Sequence, residues 1–124
     1  MTNNQDTNSK QYDLEKRTTE FAKKVIRLCK KLPNTPINIR PIPQAISSAG
    51  SIGANYREAN DALGKKDFVY RIRIVRKEAK ENIHWLELLK EANIEITELQ
   101  QEFDSLIKEA TEYRNIFSSI LQKF

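Results

Sequence analysis

Glu81 and His84 stand in KENIHW with the Glu-x-x-His spacing that helix bundles use to hold paired metal ions. Those centres need the motif twice and two further carboxylates. One histidine in the whole chain argues against a ferritin-like site, so His84 is expected as an exposed polar residue beside Trp85. Glu58, Glu78 and Glu81 are the carboxylates from which an acid–base or metal enzyme would be built. On helices such groups serve ion pairs more often than catalysis, so no catalytic residue, no metal ligand and no cofactor is assigned. The lone Cys29 lies on the apolar side of FAKKVIRLCKKL and is expected as a small buried thiol, with no intramolecular disulfide possible. The small-residue run SAGSIG lacks both the Lys-Ser/Thr ending and the preceding strand of a phosphate loop, which excludes nucleotide binding there.

Charge offers a different chemistry. Between Lys65 and Lys80 seven basic residues (Lys65, Lys66, Arg71, Arg73, Arg76, Lys77 and Lys80) face two acidic ones (Asp67 and Glu78), a local balance of +5 against +4 for the whole chain. Arg73, Lys77 and Lys80 project opposite the stripe Ile72/Val75/Ala79, so they are expected in solvent where they could meet phosphates. A solvated helix face is the plainer reading. No base-reading module is recognisable, and aromatics are not interleaved with the basic face as a stacking platform needs. Nucleic-acid binding through these residues would be electrostatic and weakly specific.

The elements that must position these groups are helices. The length of 124 residues, 39% hydrophobic and 31% charged, fits one soluble globular domain. No apolar run spans a membrane and the polar start has no signal-peptide region, so the expected location is the bacterial cytoplasm. Residues 1–12 read as a disordered tail and 13–124 as a single domain. Asp13 offers an N-cap to a first helix carrying Thr18, Phe21, Val25, Leu28 and Leu32 on one face. Prolines at 33, 36, 41 and 43 predict a long extended connection. A second helix is expected from about Pro43 to Leu63 with Ile46, Ala49, Ile52, Tyr56, Ala59 and Leu63 buried, ended by Gly64 in the left-handed region. A third, capped by Asp67, carries Phe68, Ile72, Val75, Ala79, Ile83 and Leu86 to about Ala92, with Asn93 as its stop. Thr97 and Gln100 have capping-box spacing, and a heptad seam then runs from Leu99 through Phe103, Leu106, Ala110, Tyr113, Phe117 and Ile120 to Phe124. Four such stripes with short turns bury themselves best in an all-α, antiparallel up-down-up-down four-helix bundle.

Two features lie beyond that core. Gly50 and Gly53 inside the second helix each cost roughly 1 kcal/mol relative to Ala, which predicts close approach by another helix. Ser51, Asn55, Arg57 and Glu58 on the second helix, with Glu78 and Glu81 on the third, are expected as a structural polar network within or between subunits, because a buried carboxylate must find donors. Ile74, Trp85 and Leu88 widen the third helix's apolar face. That pattern admits a thick core or a subunit interface, where Trp is enriched.

The segment Gln44 to Leu89, about a third of the chain, resembles the four-helix-bundle proteins encoded within intervening sequences of bacterial large-subunit ribosomal RNA genes. The resemblance rests on SIGANYREA (Ser51 to Ala59), the Asp67-Phe68 helix start and KEAKENIHWLELL (Lys77 to Leu89); Ser47-Ser48 stands where an Arg-Ser pair is expected. It implies an up-down bundle assembling as a cyclic homo-oligomer, pentameric in known examples, and a fold similar to accessory proteins of diversity-generating retroelements. It supplies no catalytic residue. The expectation is therefore a non-enzymatic homo-oligomeric scaffold or adaptor whose partners are itself and RNA or another polyanion. The alternatives are a protein-interaction module with an unidentified protein partner and, last, a carboxylate-based metal enzyme.

Overall fold

The computed structural model describes the backbone of residues 3–124 and the side chains of 13–124. Among the described residues five helices and one 3-10 turn form in chain order: α1 (Asn3–Lys30), α2 (Pro36–Ile39), α3 (Pro41–Asn60), α4 (Lys65–Ala92), the turn Thr97–Leu99, and α5 (Gln100–Leu121). The four long helices alternate in direction. α4 packs most extensively on α3, then on α5; α1 closes the bundle mainly against α3, so that α1 and α4 lie diagonally opposite. No strand occurs among the described residues.

The helical stripes supply the core. Phe21, Val25 and Leu28 of α1, Ile52 of α3, Ile72 and Leu86 of α4, and Phe103 and Phe117 of α5 are fully buried. Edge-to-face packing of Phe21 on Tyr113, 5.4 Å between centroids, joins α1 to α5 where their backbones stand apart. Tyr56 meets Phe117 at 5.3 Å between α3 and α5.

Several boundaries differ from expectation for identifiable reasons. The α1 backbone is helical from Asn3, so Asp13 lies inside the helix instead of capping it; no Pro or Gly stands upstream to stop helix propagation. The side chains of the expected tail, residues 1–12, lie outside the described residues. The Pro-rich connection is not wholly extended. Thr35 Oγ1 accepts from Asn38 N at 3.3 Å, and with Pro36 in the first turn this nucleates the one-turn α2. α3 opens at Pro41 and stops at Asn60, leaving the expected core residue Leu63 fully exposed in the turn. Gly64 is extended (φ −178°) and is itself the N-cap of α4, which places Asp67 in the first turn, where its charge favours the helix dipole. The Thr97/Gln100 capping box does not form. Gln100 Nε2 instead donates to Asn93 O at 3.0 Å, because a 3-10 turn intervenes before α5. Phe124 lies past the end of α5 and is half exposed, outside the seam.

The two helical glycines prove unlike. A Cβ on Gly53 would stand 2.9 Å from Thr18 Oγ1, whereas a Cβ on Gly50 would meet nothing within 4 Å. Thr18 cannot yield easily, being fully buried with its hydroxyl donating to Leu14 O at 2.8 Å. Gly53→Ala should therefore lower stability by about 1–3 kcal/mol through overpacking. Gly50→Ala should raise it by about 0.5–1 kcal/mol through helix propensity. Paired urea melts check both signs, and equal shifts would contradict the α1–α3 contact.

Cys29 is buried on α1, and desolvation pushes its thiol up to about 11. Labelling of the native protein by a thiol reagent at neutral pH should run on the order of 100-fold slower than after denaturation, since the thiolate is the reactive form. Similar rates would contradict burial.

Candidate nucleic-acid interface

α4 presents its basic cluster on the bundle's surface because its apolar stripe is spent on α3 and α5. Lys65, Lys66, Arg73, Lys77 and Lys80 are exposed and Arg76 is half buried. None of these six has a carboxylate within ion-pair distance among the described residues. Elsewhere on the bundle Lys23, Lys24, Lys31, Arg57 and Lys90 are held by Glu or Asp, while others such as Lys16, Arg27 and Lys30 are in no ion pair among the described residues, so it is the clustering of unpaired cations that sets α4 apart. Arg71 departs from its cluster: its guanidinium donates to Asn55 Oδ1 at 3.1 Å and lies 5.9 Å from the Tyr70 ring centre. It is a bridge between α4 and α3, with little left to offer a phosphate.

The structure also overturns the expectation that aromatics stand apart from the basic face. Tyr70 points to solvent, and Phe124 arrives from beyond α5 to lie with its ring centre 5.5 Å from the Lys65 ammonium. Tyr70 belongs to the basic run itself, whereas Phe124 is brought there only by the antiparallel return of α5, which spacing along the chain does not signal.

The six residues expected as one polar network divide into separate local contacts. Asn55 Nδ2 donates to Ser51 O at 2.9 Å within α3 and receives Arg71 from α4. Arg57 turns the other way and pairs with Glu15 of α1 at 3.0 Å, also donating to Thr19 Oγ1 at 3.1 Å, while Asn60 Nδ2 reaches the second Glu15 oxygen at 2.9 Å. Glu58 and Glu81 are exposed, and like Glu78 they make no side-chain hydrogen bond or ion pair among the described residues. The surface supplies water in place of the donors a buried carboxylate would require. Partial burial, then the charge of Glu81, raises the Glu78 carboxyl above its ordinary range, against the lowering effect of Lys77. His84 is exposed, its ring edge-on to Trp85 at 5.0 Å. Among the described residues no three His, Cys, Asp or Glu side chains are grouped to hold a metal ion, and no helix is long and apolar enough to cross a membrane.

Of the candidate interface residues, Trp85 is half buried and packs against the core, Ile74 is half buried, and Leu88 is 44% exposed. Trp85 thus caps the core, as the thick-core reading has it, while Leu88 faces outward.

The buried amides were missed. Asn38 and Asn93 pair reciprocally, Nδ2 to Oδ1 at 3.0 Å and 2.9 Å, and tie α2 to the end of α4. Asn82, fully buried on α4, donates to Ala45 O at 2.9 Å and Ser48 Oγ at 3.1 Å across the α3 contact. Asparagine in a Pro-rich connection or at a helix end reads as turn chemistry, and only the fold reveals such a partner.

Fold and surface together define an all-α four-helix bundle with an unpaired basic face on one helix. The family profile described as 23S rRNA-intervening sequence protein matches residues 10–119, and the chain belongs to that family. It is similar in structure to a protein of unknown function from the S23 ribosomal protein family of Bacteroides thetaiotaomicron, with 34% identity, a TM-score of 0.79, and coverage of 91% of this chain and 98% of that one. No curated protein matches it in sequence.

Proposed function

We propose that the protein is a non-enzymatic, homo-oligomeric scaffold that binds RNA or another polyanion through the basic face of α4. One observation carries the reading. Six cations cluster on and beside one helix with no carboxylate paired to them among the described residues, so an approaching polyanion displaces only water and counterions. The family's association with 23S rRNA intervening sequences is in keeping with an RNA partner. Self-association would cover Ile74, Leu88 and the outer edge of Trp85, and the family resemblance implies five subunits.

Light-scattering mass tests the assembly, with absorbance at 260 and 280 nm reporting RNA. The expected result is a mass near five subunits, with RNA co-eluting at low salt only. Trp85→Ala should reduce that mass by removing an aromatic edge from the interface, and is read beside its own melting temperature because the ring also packs against the core. A monomer whose Trp85→Ala form is equally monomeric would contradict assembly through this face.

A further inference from the structure

A cleft of about 590 Å³ opens between the first turns of α4 and the end of α5, lined by the rings of Tyr70 and Phe124, the Leu121 side chain and the cations Lys65, Lys66 and Arg73. No acidic residue lines it. Tyr70 is 59% exposed and Phe124 53%, so each ring keeps a free side, although the inner side of Phe124 lies against Phe68. Two further depressions continue the cleft. One shares Lys65 and Phe124 and reaches Asn60; the other shares Arg73 and Leu121 and adds Arg76, Ser118 and Gln122.

We infer that this cleft seats single-stranded nucleic acid, with a base against Tyr70 and Phe124 and the adjoining phosphates on Lys65, Lys66 and Arg73. The inference rests on the polyanion reading above and narrows its ligand. Exposed rings beside cations are what single-strand grooves use: a base stacks through its face while the backbone follows the positive charge. A duplex hides its base faces within its own stack and cannot use the rings. The volume suits a ligand of nucleotide size. The run of three depressions that share lining residues, with cations at each and the amide and hydroxyl of Gln122 and Ser118 at one end, suits a repeating chain of base and phosphate better than one isolated anion.

Fluorescence anisotropy with a labelled oligouridine of about twelve nucleotides, within the usual range of single-strand site sizes, tests this against an abasic strand of equal length and a duplex. The unmodified strand should bind at least about 5-fold tighter than the abasic one. Tyr70→Ala and Phe124→Ala should each remove most of that difference while leaving abasic binding unchanged; Tyr70→Ala should also leave the melting temperature unchanged, whereas Phe124→Ala, which gives up the contact with Phe68, is read beside its own melt. Equal binding of unmodified and abasic strands, or a preference that survives both truncations, would overturn the stacking site while leaving the electrostatic reading standing. Tighter binding of a Glu/Phe-rich peptide at the same rings would assign the cleft to protein and overturn it likewise. Failure of every polyanion to bind at low salt would remove both.

Discussion

Reversing Arg73, Lys77 and Lys80 to Glu together should weaken RNA binding by on the order of 100-fold near 0.15 M salt. Each phosphate contact releases close to one condensed counterion, so losing three multiplies to about that factor. The three side chains are exposed and form no ion pair among the described residues, so the bundle should stay folded, with only a small loss of stability where the new carboxylates stand beside Glu78 and Glu81. A control separates this face from net charge. Lys16, Arg27 and Lys30 are exposed on α1, diagonally across the bundle from α4. Reversing those three changes the total charge equally and should leave affinity within a few-fold of wild type. Equal losses from both triple variants would mean that the protein attracts RNA through its overall charge, with no defined face.

The largest stability effect is expected at the amide pair. Asn38 is 2% and Asn93 1% exposed, and each spends both Nδ2 hydrogens and its Oδ1. Asn38 Nδ2 donates to Pro33 O at 2.8 Å and to its partner; Asn93 Nδ2 donates to Leu89 O at 2.9 Å and to its partner. Replacing one member by Leu strands a donor and an acceptor of the other away from water, at roughly 1–3 kcal/mol for each unsatisfied group. Asn38→Leu and Asn93→Leu should each cost about 2–4 kcal/mol, a fall in Tm on the order of 10 °C. The double variant orphans no amide. The carbonyls stay satisfied because Pro33 O still accepts from Thr35 N and Leu89 O from Asn93 N. Its loss should therefore fall well short of the sum, with a coupling of about 1–3 kcal/mol. Additive losses would show that the two amides act independently.

What the sequence made legible follows the range of the interactions involved. The stripes on α1, α3, α4 and α5 repeat every three or four residues, so one helix's own chain reports its buried face, and Phe21, Ile52, Ile72 and Phe103 lie in the core where that spacing puts them. The basic run at Lys65 to Lys80 is equally local and stands at the surface. Polar partnerships are not local. Arg57 reaching Glu15, and Asn38 reaching Asn93, join residues 42 and 55 positions apart, so no pattern within either segment indicates them. The cleft illustrates the same limit, since Phe124 meets Lys65 and Phe68 only because α5 runs back along α4. The glycines illustrate it once more: both carry the same composition signal, yet only Gly53 faces a neighbouring helix.

The most direct test of the polyanion-binding face is the dependence of RNA affinity on salt, measured by anisotropy between about 50 and 200 mM, a range over which phosphate contacts show clearly. The plot of log affinity against log salt should have a slope of about −3 or steeper for the wild type, and should become shallower by about 2 when Arg73, Lys77 and Lys80 are reversed, the remainder belonging to Lys65, Lys66 and Arg76. A wild-type slope near zero, or an equally steep slope in the reversed variant, would contradict the assignment of α4 as the face that meets the polyanion.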